Sequence, residues 1–457
     1  MYRKIILLNL SLLLGALPAS AQTLGTHPAK YSREGLLLPW TSIGDALDRE
    51  MAWYLHCPIE HGFPNFTVML FMQKDYQPVA YRKDFIPAMQ DGMGIISYLK
   101  YYAFTGKKKP EVLRFARYMG DYLVNDALTP NTGPYPCFPR STGVREGYPQ
   151  PLDAGCQKDQ PFDVEPDKGA IAGYALALLY QETNDQRYLD TAVHIAEVLV
   201  RNMTAGDESH SPWPFRVDYR TGEARGPVSS DMTFPLRLFS KLIELKHPEF
   251  AAPRALLWKW ISEFQIPNAE SPKSDGHLLW VQFFEDKRVP TNRNAWAPLN
   301  LARYLIEQKK ALDPKWAEHA RSLIEFVNRN FTSIHFGVTV CGEQDVDRYP
   351  WGGVNSTYAA VLAMYASATG LNDYKLLAHQ ALTYVIYAIE EDGHPFDSLG
   401  VVRPWKNALY VVGEEGYPFK LQGPAQTEPR AQAWQEDAHT DVVHNIVDAL
   451  NAFPDWR

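Results

Sequence analysis

The chain has 457 residues, 46% hydrophobic and 13% aromatic, enough for one large globular domain or two modest ones with ample core. Its 45 Lys and Arg against 53 Asp and Glu give a formal net charge of −8. No basic patch or basic helix stands out, so neither nucleic acid nor an anionic membrane is an expected partner.

The first element is a leader. Arg3 and Lys4 precede an apolar run from Ile5 to about Ala16, and Ala19-Ser20-Ala21 offers an A-x-A cleavage site before Gln22. Residues 1–21 read as a secretory signal peptide and residues 22–457 as one secreted or periplasmic domain. No Cys follows the cleavage site, which argues against a lipid anchor, and no later stretch reaches the ~20 apolar residues of a membrane span.

Helical hairpins follow. Ser42–Tyr54 carries Ile43, Ala46, Leu47, Met51 and Tyr54 on one face and predicts an unpaired first helix. After a loop from His56 to Ala80, with a strand-like run at Phe66–Met72, Asp91–Val124 predicts an apolar helix, a Thr105-Gly106 turn and an amphipathic helix. Asp167–Met203 repeats the pattern most clearly. Ala170–Tyr180 is small or apolar at every position and must be buried all round. Thr183, Asn184 and Asp185 make a turn, and Tyr188, Leu189, Ala192, Ile195, Ala196 and Leu199 form the apolar stripe of a surface helix. Ser230–Trp260, Asn294–Asn330 and Gly352–Ala388 are further copies, and a lone final helix spans roughly Thr440–Leu450. One helix, five hairpins and one helix make twelve. Pairing the first with the last closes an all-α (α/α)6 toroid of six hairpins.

The returns from outer to inner helices are long and rich in Pro, Trp and Tyr, at 127–166, 205–229, 266–293, 332–351 and 390–438. Loops of that length are uncommon without a function. Alternating runs at Trp213–Tyr219, Leu278–Phe284 and Ala408–Val412 predict short β-hairpins within them. All these loops fall at the N-terminal end of the inner ring.

That placement puts Asp91, Asp167, Asp231, Asn294, Asn355 and Asp441 around one rim, each at or just before a buried helix. Helix capping alone selects Asp or Asn there and accounts for any one of them. As a set, with Trp213, Trp280, Trp296, Trp351 and Trp405 in the surrounding loops, they suit a sugar. Aromatic faces stack on pyranose rings, carboxylates and amides bind hydroxyls, and two carboxylates across a glycosidic bond suffice for acid/base hydrolysis.

On this hairpin periodicity and acid placement the chain resembles the six-hairpin (α/α)6-barrel carbohydrate-active enzymes, nearest in type to the unsaturated glucuronyl hydrolases and related uronidases. The resemblance covers most of residues 40–455 and implies that two Asp at the starts of consecutive inner helices do the chemistry. Asp91 in Gln-Asp-Gly-Met-Gly and Asp167 in Glu-Pro-Asp-Lys-Gly match that placement. Asp167 is the expected general acid, because its helix is the more enclosed and burial raises a carboxyl pKa. Asp163 or Glu165 can replace it, and Glu436, Asp437 or Asp441 can supply the partner. The expected ligand is an oligosaccharide or polysaccharide fragment, with a lean toward uronic acids. Lys168, Arg216, Arg293, Arg348 and Arg403 sit in or beside the cavity-side loops, where they hold a substrate carboxylate or pair with loop acids. Asp163, Glu165, Trp213, Asp231, Trp296, Trp351, Asn355, Trp405, His439 and Asp441 complete the expected binding set.

Two other readings use the same toroid or none of its chemistry. A polysaccharide lyase or sugar epimerase would draw on His439, Tyr358, Asn355 and Arg293, and a non-catalytic glycan-binding protein would need no acid pair. No cofactor or metal is expected. His56-Cys-Pro-Ile-Glu-His61 is not H-E-x-x-H, and neither a P-loop nor a G-x-S-x-G elbow occurs. Cys57, Cys137, Cys156 and Cys341 match no zinc spacing. In an oxidising compartment Cys137 and Cys156 are placed to close the loop between them, with buried free thiols as the alternative.

Overall fold

The computed structural model describes residues 23–24, 27–60, 63–64, 87–141, 153–154, 157–158, 162–270, 278–281, 291–345, 350–393, 395 and 440–457. The inner helices are α2 (Pro87–Phe104), α4 (Pro166–Thr183), α6 (Thr233–Glu244), α9 (Trp296–Gln308), α11 (Gly352–Thr369) and α13 (Asp441–Ala452). Each packs against the next, and α13 packs back on α2, so the inner ring closes. The outer helices are α1 (Ile43–Leu55), α3 (Pro110–Asn125), α5 (Gln186–Arg201), α7 (Ala251–Trp260), α10 (Trp316–Phe331) and α12 (Asn372–Ile386). As the sequence predicts, α1 lies against α13 and completes the sixth hairpin of an (α/α)6 toroid.

Composition explains the layering. The inner helices α4 and α11 are built from Ala, Gly, Ser and apolar residues, with almost every position buried. Small side chains let neighbours approach: a Cβ on Gly92 of α2 would lie 2.8 Å from Ile171 Cγ2 and 3.1 Å from Ala172 N of α4. The short turns between inner and outer helices sit at one end. Asn184 ends α4 in the left-handed conformation at φ 56°, and Asp185 then caps α5 by accepting from Arg187 N. Gly370 ends α11 in the same way at φ 76°. All inner helices therefore point their N-termini to the opposite end, where the long returns run.

Midway down, the ring is filled by polar groups from all six inner helices. Lys100 pairs with Asp448 at 2.6 Å, and Arg303 lies 3.7 Å from the same carboxylate. Asn445 accepts from Arg303 and donates to Ser356 and Thr357. Arg237 pairs with Glu307 at 2.6 Å, beneath the rings of Tyr174 and Tyr304. His444 Nδ1 meets Ser97 Oγ at 2.9 Å. Burial, reinforced by Arg303, Lys100 and Arg237, holds this imidazole well below its ordinary pKa.

The loops depart from expectation in three places. The outer helix of the third hairpin does not stop near Ile261: it runs through a π turn, Ile261–Gln265, into α8 (Ile266–Glu270). Pro267 lacks a donor and its ring crowds the carbonyl four residues back, and the wider turn accommodates it. Leu278–Trp280 forms a single 3-10 turn, with Gln265 donating to Leu279 O and Asn294 to Trp280 O, and Val281 bridges Arg293 antiparallel; the rest of the expected run, to Phe284, lies outside the described residues. An unexpected hairpin pairs Thr332–His335 with Val338–Cys341 through Phe336 and Gly337, both at positive φ. The expected hairpin after Trp213 is present. Arg216–Asp218 pairs with Ala224–Arg225 and also with Asp163–Val164, making a three-stranded sheet. Phe66–Met72 and Ala408–Val412 lie outside the described residues. Cys137 is a free thiol, and Cys156 is not among the described residues.

Candidate active site

The entrance to α4 organises the N-terminal end of the ring. Pro166 takes the first helical position, where its missing N–H matters least. Glu165, extended at φ −112°, makes no side-chain cap, which frees its carboxylate. Its Oε1 accepts from Arg216 Nε at 2.9 Å, and its Oε2 lies 3.8 Å from Lys168 Nζ. Register brings Arg216 there: Val217 stands opposite Val164 in the small sheet, and Arg225 Nη1 reaches Asp163 Oδ2 at 3.0 Å from the next strand. Asp163, Glu165, Lys168 and Arg216 are all fully buried, so each charge requires its partner.

Asp167 sits on the first turn of α4, where the helix dipole favours an anion. Its Oδ1 accepts from Lys168 N at 2.8 Å, and its Oδ2 accepts from Ser229 Oγ at 2.6 Å and Lys168 Nζ at 3.3 Å. The next inner helix brings a second carboxyl beside it. Asp231 precedes α6 by two residues, is 1% exposed, and accepts from Asn300 Nδ2 at 3.2 Å, while its Oδ1 makes no hydrogen bond among the described residues. Burial and the charge of Asp167 push the Asp231 carboxyl up to about 7, against the opposing pull of Lys168, Asn300 and the Thr233 amide. Two buried carboxyls thus stand at the starts of consecutive inner helices, that of Asp231 raised by burial and by the Asp167 charge.

Asp91 is buried on α2. It is the fifth residue of that helix rather than a residue at its start, as the sequence suggested, on the α2–α4 seam set by Gly92. Asn294 caps α9 by accepting from Ala297 N at 2.9 Å and ties this end to Ser230 Oγ at 2.9 Å. Trp296 donates its indole N–H to Glu343 Oε1 at 2.9 Å. A Cβ on Gly353 would lie 2.9 Å from Trp296 Cη2 and 3.3 Å from Asp441 Oδ2, so Trp296 and Asp441 meet over the start of α11.

Other members of the expected set stand elsewhere or are engaged within the protein. Trp213 is fully buried and donates to Leu199 O at the end of α5, wedging an outer helix rather than facing the mouth. Asn355 is the fourth residue of α11, not its cap, and ties that helix to Cys341 N, Cys341 O and Trp351 O. Trp351 is buried immediately before α11. Arg293 forms a two-pronged pair with Asp345 at 2.7 and 2.9 Å and also donates to Asn330. Trp405, His439, Arg348, Arg403, Glu436 and Asp437 lie outside the described residues. Among the described residues, no group of three or more His, Cys, Asp or Glu is arranged to hold a metal ion, and no helix is long and apolar enough to cross a membrane.

Sequence reasoning missed two side chains that hold these carboxyls and one buried acid elsewhere. Ser229 and Asn300, which hold Asp167 and Asp231, carry weak signals: a Ser-Ser-Asp run, and a lone amide between Leu299 and Leu301. Glu50 carries a stronger one. It interrupts the apolar stripe of α1, four residues after Ala46 and four before Tyr54, and it is fully buried.

Neither a family model nor a curated protein matches the chain. Solved structures do. The cellobiose 2-epimerase of Spirochaeta thermophila aligns over 91% of this chain and 96% of its own, with TM-score 0.60 and 14% identity. A family 76 glycoside hydrolase from a bovine Bacteroides thetaiotaomicron strain aligns over 91% and 78%, with TM-score 0.55 and 13% identity. A possible member of the GH105 family from Salmonella enterica aligns over 90% and 93%, with TM-score 0.51 and 11% identity. At such identities the likeness is one of fold alone, the (α/α)6 toroid.

Proposed function

We propose that the chain is an exported glycoside hydrolase that cleaves an oligosaccharide with a pair of carboxyl groups. The observation that carries the reading is Asp231, raised to about 7 by burial and by Asp167. A general acid with a pKa near the working pH is what protonation of a glycosidic oxygen requires. Asp231 gives its proton to the leaving oxygen. Asp167, which carries the opposing charge, accepts a proton from the attacking water or steadies the oxocarbenium-like carbon. Asp91, on the adjacent helix, is the alternative acceptor. This moves the acid from Asp167, where the sequence put it, to its neighbour, and leaves Asp167 in the pair.

The uronic-acid part of the reading is narrower. Lys168, Arg216, Arg225 and Arg293 all pair with protein carboxylates, so a substrate carboxylate would fall to Arg348 or Arg403. The lyase or epimerase alternative has its base, His439, outside the described residues. Of its residues, Asn355 and Arg293 are engaged as above, and the Tyr358 hydroxyl donates to Asn328. Export rests on the leader, and mass spectrometry of the secreted protein should find Gln22 at its N-terminus.

The test is turnover of a panel of oligosaccharides by the full chain and by Asp231→Asn, Asp167→Asn and Asp91→Asn. Asp231→Asn and Asp167→Asn should each lose about 100-fold or more in kcat with unchanged circular dichroism. Full activity in either sinks the reading. A product absorbing as a 4,5-unsaturated sugar would mean lyase chemistry instead, and an isomerised but uncleaved sugar an epimerase.

A further inference from the structure

Lys168 takes no part in the chemistry described so far, yet it is a lysine buried to 1% exposure one residue after Asp167. An ammonium group is strongly hydrated, and a lysine is seldom buried unless carboxylates replace the water. Lys168 has two of them. Its Nζ lies 3.3 Å from Asp167 Oδ2 and 3.8 Å from Glu165 Oε2. Its backbone amide donates to Asp167 Oδ1 at 2.8 Å. The two ends of one lysine thus grip the two oxygens of one carboxylate.

The grip is held from behind. Arg216 Nε donates to the other oxygen of Glu165 at 2.9 Å, and the pairing of Val217 with Val164 and of Asp218 with Asp163 fixes the strand that carries Arg216. Glu165 N donates to Ser141 Oγ at 2.8 Å. Phe138 closes on the backbone next to Lys168, since a Cβ on Gly169 would lie 2.1 Å from its Cζ. From the sheet to the acid the charges alternate through Arg216, Glu165, Lys168 and Asp167, each 0% or 1% exposed. Buried charges of alternating sign hold one another in register, because moving one strands its neighbours. The row ends beside Asp231, where burial and the Asp167 charge raise the carboxyl and the Lys168 charge opposes them. The other charged groups at this end are Asp91 on α2, which packs on α4, and Asp163 with Arg225 in the sheet.

We propose that Lys168 is a positioning residue of the acid pair: anchored through Glu165 and Arg216 to the three-stranded sheet, it holds the Asp167 carboxylate in place and balances its charge beside Asp231. The proposal rests on the reading of Asp167 and Asp231 as the working pair. It also gives the small sheet a purpose, since the strand carrying Arg216 then supports an acid it never touches. Lys168 acts through Asp167 and not on the sugar.

Carbon-13 NMR of the aspartate carboxyls in the full chain reads the pair without any substrate, with Asp231→Asn identifying the Asp231 signal. Lys168→Met should move the Asp231 titration to higher pH by about half a pH unit or more, because a charge that favours the carboxylate has gone. It should also lower kcat about tenfold or more as Asp167 loses its orientation. Lys168→Arg keeps the charge and should bring the titration back to within about 0.3 pH unit of wild type. A lysine that merely neutralises Glu165 would change stability and leave the Asp231 titration in place. An unmoved titration in Lys168→Met therefore overturns the proposal and leaves the acid pair intact, and so does an equal shift in both variants. If the titration moves as expected in a chain that turns over no oligosaccharide, the hydrolase reading falls and the tie between Lys168 and the two carboxyls stands. Should Lys168→Met fail to fold, nitrogen-15 NMR of the lysine ammonium groups gives the remaining measure. Asp167→Asn keeps the shape of the side chain and should shift the Lys168 Nζ signal, identified by its loss in Lys168→Arg; an unmoved signal overturns the proposal.

Discussion

The Ser229 hydroxyl donates to Asp167 Oδ2 at 2.6 Å, and Asp231 follows two residues later in the chain. One short segment thus orients the Asp167 carboxylate and supplies the raised carboxyl of Asp231. The acid pair is consequently a property of the 229–231 turn as much as of α4.

If protonated Asp231 is the working acid, kcat/KM should fall as pH rises through about 7. Neighbours should move that limb in opposite directions. Asn300→Leu removes a hydrogen bond that favours the charged form, so the limb should shift to higher pH. Removing the Asp167 charge lowers the Asp231 pKa, which carbon-13 NMR of the carboxyls in Asp167→Asn would register. A pH profile unmoved by Asn300→Leu would detach the limb from Asp231.

The same group makes stability depend on pH. Between 3.8 and about 7 the folded chain holds the Asp231 proton and the unfolded chain has lost it, so this group's contribution to stability falls as pH rises across that window. Asp231→Asn abolishes the term and keeps the shape. Urea denaturation should find the variant equal to wild type near pH 4 and more stable at pH 8, by up to about 4 kcal/mol for a shift of about three units. Parallel stability curves would count against it.

Arg216 and Glu165 are a fully buried pair at 2.9 Å. Arg216→Met takes from Glu165 its charge partner at 2.9 Å, and should cost about 3–5 kcal/mol in chemical denaturation. Adding Glu165→Gln should recover part of that loss. A double variant worse than the single would mean that the carboxylate is held by groups other than Arg216.

Gly92 sets the spacing between the helices that carry Asp91 and Asp167. Gly92→Ala should cost about 1–3 kcal/mol by overpacking and also lower kcat. Trimming Ile171 to Ala should not restore activity, because the Ala172 backbone would still lie 3.1 Å from the new methyl. Full rescue would show the clash to be one of side chains alone.

The toroid was legible because its signal is repeated: an apolar helix, a capped turn and an amphipathic helix recur five times, and helix starts were placed within a few residues. Asp91 stands inside its helix because Pro87 begins it earlier than the sequence suggested, and Asn355 because the helix starts at Gly352, the expected start of its hairpin. The third hairpin's outer helix ran past its expected end because the π turn Ile261–Gln265 carries it into Ile266–Glu270. The site was legible as a set of acids and not as a division of labour. Which carboxyl holds a proton depends on Ser229, Lys168 and Asn300, and no residue spacing reports which side chain points at which. Glu50 was legible in principle, since an acid on an apolar stripe is a local contradiction.

Ring closure also fixes an order of events. α1 and α13 are neighbours in space, yet their first residues are 441 − 43 = 398 positions apart, the longest-range pairing among the hairpins. Closing a loop of that length adds entropy cost slowly but delays the contact. α13 also leaves the ribosome after every other inner helix. Until it docks, α2 and α11 face each other across an open seam lined by Gly94 and Gly353, and Asp441 has no corner to occupy. A nascent chain would therefore carry Asp167 and Asp231 in an unsealed ring until α13 docks.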